Sequence, residues 1–219
     1  MMKLVRLIRH GESAANAGAA TVDHESIALT EHGVDQARRI ALSFTNAPDL
    51  IVTSPFSRAL STAQLTENAF VSVPMETWPV QEFTYLEPAR CVNTTVAQRR
   101  DWVENYWQRA HPNRVDGDGA ESFLEFVSRA QAFLVRLAAH PVQDIVVFSH
   151  GQFINVVAWL IERQPTEINS RAMMDWREYE IANHVENCGG CQLMYGQSDS
   201  GWRLTSRDAE GAALRARLS

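Results

Sequence analysis

The chain has 219 residues, 45% of them hydrophobic, enough to bury a full core, and nothing in it reads as a linker between two domains. Its 26 acidic and 20 basic residues give a formal charge of −6, which argues against a nucleic-acid or anionic-membrane partner, since those need a broad excess of Lys and Arg. No stretch approaches the roughly 18 to 20 apolar residues of a bilayer span, and Met1-Met2-Lys3 runs directly into a strand pattern instead of a signal peptide, so a soluble, cytoplasmic, single domain over 1–219 is expected.

Residues 2 to 8 are predicted to form the first strand, which ends in Arg9-His10-Gly11-Glu12. Thr30 is the predicted N-cap of a helix running to about residue 46, with apolar spacing at Val34, Ala37, Ile40, Ala41 and Phe44. A short buried strand follows at 49–53. Ser54-Pro55 then reads as an N-cap with proline at the first helical position, which puts Arg58 in the first turn and Ala59, Leu60, Ala63 and Leu65 inward. A third strand is predicted at 71–77 and a helix at 94–110 carrying Val96, Val103, Tyr106 and Trp107. Residues 122–140 form an amphipathic helix with Phe123, Phe126, Val127, Ala130, Phe133, Leu134 and Leu137 on one side. A strand at 144–149 ends in Ser149-His150-Gly151, a helix follows at 152–163, and two strands near 180–186 and 191–196 close the pattern. Asp208 to Ser219 is a charged, Ala-rich tail, either a short helix or frayed.

Strands alternating with helices predict an α/β fold: a three-layer α/β/α sandwich with a mostly parallel mixed sheet and an antiparallel edge hairpin near the C-terminus. Residues 88–120 read as an insertion on the substrate side. Trp102, Tyr106 and Trp107 within it suit either a substrate mouth or a core. Three cysteines make no complete set of disulfides, so a reducing compartment is expected. Cys188-Gly189-Gly190-Cys191 lacks the second ligand pair of a zinc site and reads as small residues flanking a Gly-Gly hairpin turn. Asp116-Gly117-Asp118-Gly119 lacks the later glutamate of a calcium loop and reads as a turn and helix cap.

Ligands of open α/β sheets bind beyond the carboxyl ends of the strands, and both His-Gly pairs lie there. Arg9, His10, Arg58 and His150 are therefore candidates to converge on one anion. Lys3 is the one lysine, so anion recognition falls to arginine, whose planar fork suits phosphoryl oxygens. A neutral His10 imidazole, its tautomer fixed by an acceptor on the other nitrogen, is a competent nucleophile toward phosphorus. A protonated His150 would stabilise charge shifting onto the equatorial oxygens. The leaving alkoxide needs a proton, and Glu82, flanked by apolar residues after the third strand, is the candidate acid, with Glu87 and Glu12 as competitors.

Arg9-His10-Gly11-Glu12-Ser13 with Asn16, Leu29-Thr30-Glu31 with Gly33 and Gln36-Ala37, Ser54-Pro55 with Arg58-Ala59 and Thr62-Ala63, and Ser149-His150-Gly151 resemble the successive motifs of the histidine phosphatase superfamily, in its phosphoglycerate-mutase-like branch. Glu121-Ser122 and Asn187 also resemble that pattern. The resemblance implies that His10 is phosphorylated, that Arg9, Asn16, Arg58, His150 and Gly151 form the phosphate pocket, and that Glu82 donates the proton. It implies no metal and no cofactor. After Glu82 the chain departs from the family, with Phe83-Thr84-Tyr85-Leu86-Glu87-Pro88 in place of a Gly- and Trp-containing loop.

The activity implied is metal-independent hydrolysis of a small phosphate ester, with no nucleic-acid or membrane partner and a homodimer left open. The alternatives are a mutase and a non-catalytic phosphate binder. Ala17-Gly18-Ala19-Ala20-Thr21-Val22 lacks the aromatic contacts with which the family's mutases grip phosphoglycerate, and a silent binder is expected to have lost His10 or Arg58.

Overall fold

The computed structural model of the protein describes residues 2–196 and 201–207. In chain order the elements are β1 (Lys3–Arg9), α1 (Glu31–Ser43), β2 (Leu50–Thr53), α2 (Ser57–Ala69), β3 (Met75–Thr77), α3 (Pro88–Cys91), α4 (Arg100–Arg109) after a 3₁₀ turn at Ala97–Arg99, α5 (Phe123–Ala139), β4 (Asp144–Ser149), α6 (Gly151–Arg163), α7 (Ser170–Ala182), β5 (Gly190–Gly196) and β6 (Gly201–Ser206). Among the described residues the strands form one sheet in the order β3-β2-β4-β1-β5-β6. The first four in that order are mutually parallel, whereas β5 runs antiparallel to β1, and β6 to β5. This is the mixed α/β sheet that the alternation of elements predicts.

Apolar runs in β1, β2 and β4 are buried on both faces, as parallel strands between two helical layers must be. Val5, Leu7, Ile145 and Val147 pack with residues of α5, α6 and α7. Ile8, Ile51, Val146 and Phe148 pack on the opposite side, with Ile40 of α1 and Ala63 of α2. The chain leaving β1 therefore turns to one face and the chain leaving β4 to the other. Adjacent parallel strands whose connections diverge open a crevice at their carboxyl ends, and His10 and His150 stand on its two sides.

Several local expectations are corrected. Ser54-Pro55 does not cap α2, which begins at Ser57 behind Phe56; Ser54 is fully buried and its hydroxyl is held by Phe56 N–H and His150. Leu60 points outward, because the inner face of α2 uses the smaller Ala59, Thr62, Ala63 and Thr66. The third strand shrinks to Met75–Thr77, and the helix predicted at 94–110 starts later, leaving Val96 exposed. Residues 180–186 are not a strand: they begin as the last turn of α7, whose inward Met173, Trp176 and Tyr179 are scattered through a charged stretch.

The hairpin is instead β5 with β6, and only β6 lies at the edge. Cys188 and Cys191 do not flank its turn. Cys188 occupies a left-handed turn before β5 (φ 60°) and packs on the Phe148 side of the sheet, while Cys191 packs in the other cluster. Asp208 to Ser219 lies outside the described residues. Lys3 is structural, its buried ammonium donating to the carbonyls of His140 and Val142. No helix among the described residues is long and apolar enough to cross a membrane.

Candidate active site

The Arg9–Ser13 loop is positioned by α1 and α2. Thr30 caps α1 by accepting from Gly33 N–H at 3.0 Å and donates to the Glu12 carboxylate at 2.7 Å, while Gln36 Oε1 accepts from Glu12 N–H at 2.8 Å. Gly11 N–H donates to Thr62 Oγ1 at 3.0 Å, and that hydroxyl donates to the Arg58 carbonyl at 2.7 Å. The backbones of the loop and α1 meet so closely that a Cβ on Gly33 would overlap the Glu12 carbonyl, and one on Gly11 the Gly33 carbonyl. Gly33→Ala is therefore expected to cost about 1–3 kcal/mol of stability, read by urea unfolding, and to lower activity by shifting the loop.

His10 and His150 face each other with ring centroids 5.1 Å apart, in an edge-on arrangement. His10 Nδ1–H donates to the Gly11 carbonyl at 2.7 Å, which leaves Nε2 as a lone pair, and Arg58 Nε–H donates to that nitrogen at 3.1 Å. Burial, then the Arg58 and Arg9 guanidiniums, hold His10 well below the usual imidazole range. His150 is depressed likewise by burial and then by Arg58, which favours a neutral ring before an anion arrives.

Ser54 Oγ sits 2.8 Å from His150 Nε2, whereas Nδ1 is buried with no partner among the described residues. The same is true of Arg9 Nε, although Arg9 Nη1 is anchored on the Val185 carbonyl at 2.6 Å. Arg58 is fixed by the His24 carbonyl at 3.0 Å. Asn16 Oδ1 accepts from Ser13 N–H, Ser13 Oγ and Asn187 Nδ2, which leaves its amide nitrogen as the donor it can offer a ligand. Gly151 starts α6 beside Arg9, where a Cβ would meet Arg9 Cδ and Nε at 3.7 Å, an ordinary van der Waals contact.

Glu82 lines the same cavity as Arg9, His10, Asn16 and Arg58. Its Oε1 accepts from Gln152 N–H at 3.1 Å, freeing Oε2 to carry a proton. Burial raises its carboxyl above the usual range, opposed by Arg58 and Arg9. The segment is pinned by distant residues: Arg129 donates to the Pro79 and Gln81 carbonyls, Ser149 Oγ to the Val80 carbonyl at 2.6 Å, and Glu121 N–H to the Thr84 carbonyl at 2.8 Å. The competitors are directed elsewhere, since Glu12 is held by Thr30 and the Glu87 side chain lies over Gly117.

The cavity measures about 210 Å³ and its outer wall joins the loop after Ser13 to the 88–120 segment. An isolated β-bridge between Thr21 and Thr94 fastens the two. Asp116 anchors the far end of the insertion through ion pairs with Arg90 and Arg114. Val96, Arg99 and Val103 line the cavity, whereas Tyr106 and Trp107 are buried in the core with Trp102 packed against it. The aromatic cluster is thus support for the wall and not the mouth. Sequence reasoning missed Ser54 as a partner of His150, and it missed His24, which also lines the cavity and whose ring is pushed down to about 4 by burial, Arg58 and Arg99. Neither carries a signal in its neighbours along the chain.

Residues 5–193 match the family described as the histidine phosphatase superfamily, branch 1. An adenosylcobalamin/alpha-ribazole phosphatase of Salmonella typhi is 30% identical over 163 residues, 69% of this chain and 75% of that protein. A 2,3-bisphosphoglycerate-dependent phosphoglycerate mutase of Rhizobium etli is 26% identical over 174 residues, 74% of this chain and 81% of the mutase. The alpha-ribazole phosphatase structure from Shigella flexneri shares the fold, with a TM-score of 0.69 at 22% identity over 94% of this chain and 96% of that one. With its two imidazoles facing across the sheet's crevice and the family's profile running through both, the chain belongs to branch 1 of the histidine phosphatase superfamily, as a phosphoric monoester hydrolase.

Proposed function

We propose that the protein hydrolyses small phosphate monoesters through a phosphohistidine at His10, without a metal ion. The observation that carries this reading is a pair of buried nitrogens without partners among the described residues, Arg9 Nε and His150 Nδ1, beside a nucleophilic lone pair at His10 Nε2. A buried donor without an acceptor costs free energy, and a phosphoryl group offers three oxygens to satisfy such donors. The lone pair attacks phosphorus as the ester oxygen departs with the Glu82 proton. Water then attacks the phosphohistidine while the Glu82 carboxylate accepts its proton, which releases phosphate and restores both groups. Arg9, Arg58, Asn16 and the α6 start at Gly151 hold the oxygens throughout. The bound dianion reverses the electrostatics that keep His150 neutral, so that its ring can donate as charge shifts.

The modest cavity supports a metabolite-sized substrate, and a relative named as a phosphatase supports hydrolysis. The three cysteines are buried, which fits a reducing, cytoplasmic setting. The single sheet fits one domain with 88–120 as an insertion over the site. The test is phosphate release from an aryl phosphate in excess EDTA. Turnover is expected to persist; loss that is restored by a divalent cation, or phosphoryl transfer without net release, would reject the reading.

A further inference from the structure

We propose that the leaving-group side of the cleft contains an anion subsite at Arg99, which selects monoesters whose alcohol carries a second anionic group. The proposal rests on the phosphatase reading and adds the class of substrate.

Three guanidiniums line the cavity, those of Arg9, Arg58 and Arg99, and they face a single carboxyl, that of Glu82. One phosphoryl group answers Arg9 and Arg58, the two arginines beside the imidazoles. Arg99 is left over. It is half-buried, and its side chain has no ion pair and no hydrogen bond among the described residues. The other buried or half-buried arginines are all held: Arg6 by Asp144, Arg9 by Val185, Arg58 by His24, Arg114 by Asp116, Arg129 by Glu121 and Arg177 by Glu180. A half-buried guanidinium without a counter-charge among the described residues, in a cleft that already holds two more, adds to the positive field that draws an incoming anion.

The wall that carries it is fixed before any ligand arrives. Thr21 N–H donates to the Thr94 carbonyl at 2.9 Å and Asn93 N–H to the Thr21 carbonyl at 2.7 Å, just ahead of the 3₁₀ turn that ends at Arg99. Ile27, Val96 and Val103 supply an apolar part of the lining of the same cavity. His24 lies within the electrostatic reach of both Arg58 and Arg99, and its ring, 3.2 Å from the Thr84 hydroxyl, is neutral and so supplies no counter-charge. A phosphate at one end, a short apolar body and a carboxylate or second phosphate at the other end would satisfy every charged group in the cleft. A carboxylate matches the planar fork of one arginine in two-point contact.

The experiment uses a ladder of ω-carboxyalkyl phosphates against alkyl phosphates of equal length, with the α,ω-bisphosphates as a second arm. The wild-type enzyme is expected to prefer the charged member in kcat/KM by about tenfold or more at the best chain length, the size of one charge-assisted hydrogen bond. The arm with the larger preference identifies the anion as carboxylate or phosphate. In Arg99→Gln that preference falls to about one, and Arg99→Lys keeps part of it. Arg100→Gln, which removes the same charge from an exposed arginine paired with Glu104, keeps it in full. A wild-type enzyme without preference, or one unchanged in Arg99→Gln, overturns the proposal. If the wild-type protein hydrolyses no member of the ladder, the phosphatase reading fails instead; calorimetric binding of the same pairs to wild type and Arg99→Gln then decides the subsite.

Discussion

His10→Ala is expected to abolish turnover while the protein remains folded. The lone pair at Nε2 exists because Nδ1–H is committed to the Gly11 carbonyl. Loss of a covalent nucleophile that works as a unit with its neighbours costs about 10⁴-fold or more in kcat. The loop itself is held through Gly11, Glu12 and Asn187, which donates to the His10 carbonyl at 3.0 Å, so circular dichroism and cooperative unfolding are expected to survive. Quenched reactions with labelled substrate should place label on the wild-type chain, stable in alkali and lost in acid as a phosphoramidate is, and none on the variant. Residual activity within tenfold of wild type, or label retained by the variant, would move the nucleophile elsewhere.

Glu82→Gln is expected to separate substrates by leaving group. An alkoxide cannot depart without a proton, so alkyl phosphates should lose about 10²- to 10⁴-fold in kcat/KM, which reports the step that expels the alcohol, whereas nitrophenolate leaves unaided and should lose less than about tenfold in the same constant. The pH dependence follows from the direction of the shift. Burial raises the Glu82 carboxyl, so the proton is retained to higher pH than on a free glutamate and is lost as pH climbs through the raised value. Hydrolysis of alkyl phosphates should therefore fall on the alkaline side, and the glutamine variant should lose that limb. Equal losses with both leaving groups, or an unchanged alkaline limb, would remove Glu82 as the acid and return the question to the other carboxyls near the cleft.

Much of this was legible along the chain. The apolar runs ending in Arg9-His10-Gly11 and Ser149-His150-Gly151 mark two buried strands with polar chemistry at their ends, and only an α/β sheet puts such ends together. Thr30, Gly33 and Gln36 belong to the same pattern because they hold the Glu12 backbone and side chain. Arg58 was legible as a first-turn residue even though the cap assigned to its helix was wrong. Ser54 had the residue type of a cap, and a fully buried imidazole claimed its hydroxyl instead.

Sequence by itself determined the fold class, the two imidazoles, the two arginines beside them and the acidic candidate, because strand and helix periodicity and the residues at element ends are recorded among near neighbours. Tertiary structure alone decided which glutamate reaches the cleft, since Arg129 and Ser149 pin the Glu82 segment from 48 and 69 residues away. It likewise decided that the aromatics of α4 belong to the core, that α7 exists where its charged residues hide three inward side chains, and that Arg99, in the wall of the cavity, has no side-chain partner among the described residues. Burial and partnership are properties of packed surfaces, and residues far apart along the chain supply the two sides of each contact.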